Sequence, residues 1–156
     1  MRRLAAVLSV FLVLAAGDAR AGFDEGLAAY ERGDYATALR ELRPLAEQDA
    51  AAQFLLGLMY DEGRGVSQDY AEAAKWYRFA AEQGDADGQN LLGAAYANGK
   101  GVPQDYVQSH MWLNLSAAQG LETARNERDI IAERMTPAQI AEAQRLAREW
   151  TEKHEK

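Results

Sequence analysis

Residues 53–84, QFLLGLMYDEGRGVSQDYAEAAKWYRFAAEQG, recur at residues 89–120 as QNLLGAAYANGKGVPQDYVQSHMWLNLSAAQG. Leu56/Leu92, Gly57/Gly93, Tyr60/Tyr96, Gly63/Gly99, Gly65/Gly101, Val66/Val102, Asp69/Asp105, Tyr70/Tyr106, Trp76/Trp112, Ala81/Ala117 and Gly84/Gly120 all pair at a spacing of 36. A constant offset over so many positions marks an internal repeat. Units of this length, with two helical patterns around a Gly-rich break, predict an α-solenoid whose units bury their apolar faces against neighbours.

The local physics of one unit supports two helices. Ala52, Leu55, Leu56, Met59 and Tyr60 fall on one face at helical period. Gly57 lies inside that face, where glycine costs about 1 kcal/mol against alanine, so another helix is expected to approach closely there. Gly63 and Gly65 are expected to end the helix. Asp69 with Glu72, and Asp105 with Gln108, read as variants of the capping box that opens the second helix. That helix turns Ala73, Tyr77, Ala80 and Ala81 inward and stops at Gly84.

The run L-G-x-x-Y-x-x-G-x-G-V-x-Q-D-Y, followed by W-x-x-x-A-A-x-Q-G, resembles the Sel1-like repeat, a relative of the tetratricopeptide repeat with a longer interhelix loop. The likeness covers roughly residues 22–120. It implies an all-α protein, an α/α superhelix of helix pairs that acts as a protein-interaction scaffold, with the first helices lining its concave face. The expected organisation is a degenerate first repeat at about 22–49, full repeats at about 50–85 and 86–120, and a C-terminal cap over 121–152.

In the first of these units Tyr30 and Tyr35 are five residues apart where the later tyrosine pairs are ten apart, so a shorter loop is expected. Asp34 reads as the cap of its second helix, and Pro44 as a kink or a weakened backbone bond inside it. Beyond Gly120 the glycine register fails at Asp129. Ala124, Ile130, Ile131 and Met135 read as a buried face, and Thr136-Pro137-Ala138-Gln139 as a helix start. Ile140, Ala143, Ala147 and Trp150 form the stripe of a capping helix, whose tail, residues 151–156, is expected to fray.

Residues 1–21 read as a secretory signal peptide. Arg2 and Arg3 form the positive region, residues 4–16 the apolar region, and Ala19-Arg20-Ala21 the small-x-small cleavage site, with cleavage after Ala21. Removing them takes away three arginines and one aspartate, so that 14 basic and 23 acidic residues remain and the net charge goes from −7 to −9. So acidic a protein is not expected to bind nucleic acid or anionic lipid. The chain has no cysteine, which excludes disulfides and a lipid-anchoring cysteine. A periplasmic or secreted protein without a stable membrane anchor is the expectation.

The supply of reactive groups is thin. His110 and His154 are the two histidines, without a ligand pattern around them, and none of Ser67, Ser109 and Ser116 begins S-x-x-K. Gly63-x-Gly65 and Gly99-x-Gly101 follow helices and recur with the repeat, so they read as turns and not as phosphate loops. No catalytic, metal or cofactor residue is assigned, and the chain is read as no enzyme. Trp76 and Trp112 share one repeat position and read as packing between units. On the concave face the positions left over by the packing set are Phe54, Leu58, Asp61 and Glu62 in one unit and Asn90, Ala94, Ala97 and Asn98 in the next. Phe54, Leu58, Asp61, Glu62, Asn90 and Asn98 are therefore the candidate partner-binding residues, suited to a peptide with an apolar anchor and a basic residue. Glu72, Lys75 and Arg78 read as solvated charges of the outer face.

The leading reading is an adaptor that binds a protein segment, in regulation or assembly of an envelope complex. Two alternatives stay open: a β-lactam-binding or cell-wall-active enzyme, as associated with some disulfide-rich Sel1-like relatives, and a secreted effector of a host protein.

Overall fold

The computed structural model describes the backbone of residues 2–155 and the side chains of residues 17–155. Among the described residues it has eight helices and no strand: α1 (Arg2–Glu31), α2 (Tyr35–Leu45), α3 (Ala50–Glu62), α4 (Tyr70–Glu82), α5 (Ala86–Asn98), α6 (Tyr106–Ala118), α7 (Glu122–Ala132) and α8 (Pro137–His154). Consecutive helices pack as hairpins, α1 with α2, α3 with α4 and α5 with α6, and α4 packs onto α5 to join the last two. The all-helical solenoid expected from the repeat is the observed architecture. The apolar region at residues 4–16 lies outside the residues whose side chains are described, and residues 17–21 are exposed.

Helix ends follow the aspartates and glycines. Asp34, Asp49, Asp69, Asp85 and Asp105 each accept a backbone N–H in the first turn of the following helix. These bonds satisfy donors that a helix leaves orphaned. Gly63 and Gly99 stop α3 and α5 at φ 67° and 63°, a left-handed turn that a Cβ would strain. Among the described residues the capping box is complete only at Thr136, which accepts from Gln139 N–H while the Gln139 side chain accepts from Thr136 N–H. At α4 only half of the box is made, because Glu72 pairs with Lys75 at 3.1 Å.

Three buried clusters run through the stack. Ala29, Leu42, Leu56 and Met59 centre the first, Tyr77, Leu92 and Trp112 the second, and Leu113, Ala124 and Ile131 the third. Trp112 is buried against Trp150 of α8, ring centroids 6.1 Å apart, whereas Trp76 packs back onto the first cluster. One tryptophan position thus seals two successive junctions, as expected for packing between units.

Pro44 lies inside α2 as expected, one residue from its end, where its missing N–H removes one backbone bond of the last turn. Three other sequence expectations are corrected. The tail does not fray after residue 150: α8 continues to His154, whose ring stacks on Trp150 at 3.9 Å and whose Nδ1 lies 2.7 Å from the Trp150 carbonyl. Ile130 is 55% exposed, although Ala124 and Ile131 beside it are buried as expected. Arg78 is not a free outer charge, since its guanidinium bonds the Tyr96 hydroxyl and lies 5.6 Å from that ring, tying α4 to α5.

The glycines inside helix faces mark the tightest contacts. A Cβ on Gly57 would stand 2.5 Å from the Tyr77 ring, and one on Gly93 would stand 2.7 Å from Leu113 and 3.2 Å from the Ser109 carbonyl. Gly57→Ala and Gly93→Ala are each expected to lower the unfolding free energy by about 1–3 kcal/mol through overpacking. Urea denaturation of the two variants checks this, and wild-type midpoints for both would show that the helices do not approach so closely.

Candidate functional site

Two hollows, one repeat apart, open between the helix hairpins. The first lies between Asp61 at the end of α3, Tyr70 and Tyr77 on α4, and Leu91, Ala94 and Asn98 on α5, with Lys100 at its rim. The second lies between Ala94, Ala97 and Asn98 on α5, Leu113 on α6, and Glu127, Ile130 and Ile131 on α7, with Arg134 just beyond. Adding 36 to Leu91, Ala94, Ala95 and Asn98 gives Glu127, Ile130, Ile131 and Arg134. Helix α7 therefore continues the register of the first helices, even though the counterpart of Gly93 is Asp129.

The first hollow is closed by the protein's own charges. Lys100 Nζ lies 2.8 Å from the Asp61 carboxylate and 4.2 Å from the centre of the Tyr70 ring. The Tyr77 hydroxyl donates to the same carboxylate at 3.4 Å. Burial, reinforced by the Asp61 charge, pushes the Tyr77 hydroxyl well above the ordinary phenol range, and the hydrogen bond to Asp61 raises the Lys100 ammonium. One unit earlier Arg64, the counterpart of Lys100, does the same. Its Nε is 2.8 Å from Glu62, its guanidinium lies over the Tyr30 and Tyr35 rings, and Tyr30, donating to Glu62 at 2.9 Å, is pushed up to about 12, chiefly by burial. A loop cation reaching back over an aromatic ring is thus a repeated joint between units. At the next repeat the position holds Thr136.

The six candidate residues meet different fates. Phe54 and Leu58 are half-buried and pack against both of the first two core clusters, with the Phe54 ring 6.2 Å from that of Tyr77. The expected pair of apolar anchors therefore also serves the joint between units, with part of each side chain left exposed. Asp61 and Glu62, expected to meet a basic partner, are already paired with Lys100 and Arg64. Asn90 is half-buried with a buried Oδ1 that has no hydrogen-bond partner. Asn98 stays exposed on the rim shared by both hollows, and its amide donates to the Ala94 carbonyl at 2.9 Å.

Periodicity did not point to Ile130 and Glu127, although extending the 36-residue spacing past Gly120 would have placed them beside Ala94. Also unread was the repeated amide latch between units. Gln53 donates to the Ala46 carbonyl at 2.9 Å and accepts from Gln83 at 2.8 Å; Gln89 donates to Ala81 at 3.2 Å and accepts from Gln119 at 2.9 Å. Buried amides satisfied in this way hold one register of stacking.

His110 is buried with Nδ1 unpartnered, and burial, aided by the Arg128 charge and opposed by Asp129, holds its pKa below the ordinary value. Ser109 is fully buried, and the Ser116 hydroxyl donates to the Ala86 carbonyl at 2.7 Å. Among the described residues no group of three or more His, Cys, Asp or Glu side chains could hold a metal, and no helix is long and apolar enough to cross a membrane.

The Asp61–Lys100 pair is partly exposed, so its coupling measured by a double-mutant cycle with Asp61→Asn and Lys100→Met is expected at about 0.5–1 kcal/mol. A coupling of zero would mean that the first hollow is not held shut by this pair.

The Sel1 repeat family profile matches residues 50–85 and 86–121. No curated protein matches the chain. Among solved structures, the chain is similar to a protective antigen present in uropathogenic Escherichia coli strains and displaying an SLR fold, with 32% identity and a TM-score of 0.82 over 90% of this chain. The chain spans 31% of that antigen's length. It is similar also to a Sel1 repeat protein from Oxalobacter formigenes, with 35% identity, a TM-score of 0.67, and coverage of 80% of this chain and 97% of the other. Two matched repeats in register, and a relative spanned almost from end to end, place the chain in the Sel1 repeat family.

Proposed function

We propose that the chain is an exported scaffold that binds a protein segment on the face carried by α3, α5 and α7, in the regulation or assembly of an envelope complex. The observation that supports it best is the contrast between the two hollows. The acids of α3 are matched by Lys100 and Arg64, while the hollow on α7 exposes Ile130 beside Glu127, a carboxylate without an ion-pair partner among the described residues. Exposed apolar groups in a depression favour a binding role over isolated surface residues. Sel1 repeats serve generally as protein-interaction scaffolds, and the family membership agrees with this reading.

Export rests on the sequence of residues 1–21: a positive start, an apolar stretch and a small-x-small site whose residues are exposed. It would deliver a protein of net charge −9 to the periplasm or the medium. The enzyme alternative gains no support from Ser109, which is buried without access, from Ser116, which is committed to the Ala86 carbonyl, or from exposed Ser67, which begins no S-x-x-K.

The test is affinity capture from an envelope extract with purified protein. Proteins retained by the wild type are expected to be retained by Glu72→Ala with Lys75→Ala, on the outer helix, and lost by Ala94→Arg, provided its melting curve is unchanged. Equal retention by a stably folded Ala94→Arg would contradict the scaffold face, and turnover of a chromogenic β-lactam above background would contradict the non-enzymatic reading.

A further inference from the structure

The second hollow differs from the first at the positions that carry charge. Where the first has Asp61 and Lys100, the second has Ala97 and Thr136, so the internal ion pair is gone from both ends. In its place the counterpart of Leu91 is Glu127 and that of Ala94 is Ile130. Ile130 is 55% exposed, and the floor behind it is apolar, with Leu113 fully buried and Ile131 nearly so. Ala94 and Ala97 form the opposite wall, and their small side chains leave room.

Glu127 is half-buried, and neither it nor Arg134 has an ion-pair partner among the described residues. Its carboxyl is held above the ordinary range by burial alone. A carboxylate partly stripped of water and lacking a cation gains from one brought by a ligand. Arg134 is exposed and keeps its hydration, so it has less to gain from an incoming acid. The net charge, −7 for the whole chain and −9 without residues 1–21, acts in the same direction, drawing basic segments toward the surface. The first hollow shows how such a group is received, since there an amino group from the protein's own loop reaches a carboxylate beside apolar walls.

We propose that the second hollow takes one apolar side chain of a partner protein segment, seated between Ala94, Ala97, Leu113 and Ile130, with an adjacent Lys or Arg of that segment paired to Glu127. This rests on the scaffold reading above and names the chemistry of its ligand.

Selection of random displayed dodecapeptides on the purified protein, followed by affinity measurements with the synthetic winners, tests it. Winners are expected to carry a large apolar residue next to Lys or Arg. Their affinity is expected to fall about tenfold or more with Ile130→Ser, an exposed change that leaves the core intact, and severalfold with Glu127→Gln. Repeating the selection on Glu127→Lys is expected to turn the preference toward Asp or Glu beside the same apolar residue. Winners that bind Ile130→Ser and Glu127→Gln as well as wild type would overturn the assignment while leaving a scaffold that binds elsewhere, and acidic winners on the wild type would overturn the charge assignment. Failure of any peptide to enrich would count against both this inference and the scaffold reading. Circular dichroism melts of each variant, unchanged from wild type, keep lost binding distinct from lost folding.

Discussion

The close contact of helices at Gly57 and Gly93 sets the geometry on which everything else depends. With no side chain between them, α3 meets the Tyr77 face of α4, and α5 meets the Leu113 face of α6. Each hairpin thereby becomes a thin, rigid slab with apolar residues on both sides. A slab of that kind cannot satisfy its second apolar side alone, so it must stack on another. Phe54 and Leu58 illustrate the consequence: they belong to α3 yet pack against the clusters on both sides of it.

Stacking is then fixed by polar joints that recur every 36 residues. Lys100 and Arg64 lie over tyrosines of the preceding unit, the Gln53 and Gln89 amides donate to the Ala46 and Ala81 carbonyls of the preceding unit, and a Cβ on Gly101 would collide with the Tyr70 carbonyl, so the loop lies hard against α4. These joints consume the acids at the end of α3. They cease at the last repeat, where Thr136 replaces the loop cation and α8 packs on α6. The functional reading follows from that termination: the hollow that a loop cation at position 136 would have closed is left with an exposed isoleucine and a carboxylate without an ion-pair partner among the described residues.

Much of this was legible from residues alone. Repeat length, helix caps at Asp69 and Asp105, glycine stops at Gly63 and Gly99, and the inward set Ala73, Tyr77, Ala80 and Ala81 all depend on contacts within one unit, which periodicity reports directly. Side chains whose surroundings are made by the next unit were harder. Asp61 looks free on its own helix, and only the three-dimensional approach of Lys100, 39 residues later, neutralises it. Ile130 looks like core because it adjoins Ile131, but it faces the hollow against Ala94 and Ala97 of α5, whose small side chains leave it exposed, and no pattern inside α7 encodes that. The loss of glycine at Asp129 hid the fact that the spacing itself continues.

The account turns on the α5–α7 face being where a partner sits, and site-specific photocrosslinking tests this most directly. A photoreactive residue at Ala97 is expected to give a discrete protein adduct in cells, while one at Lys75 on the outer helix gives none. Adducts from Lys75 with none from Ala97 would contradict it.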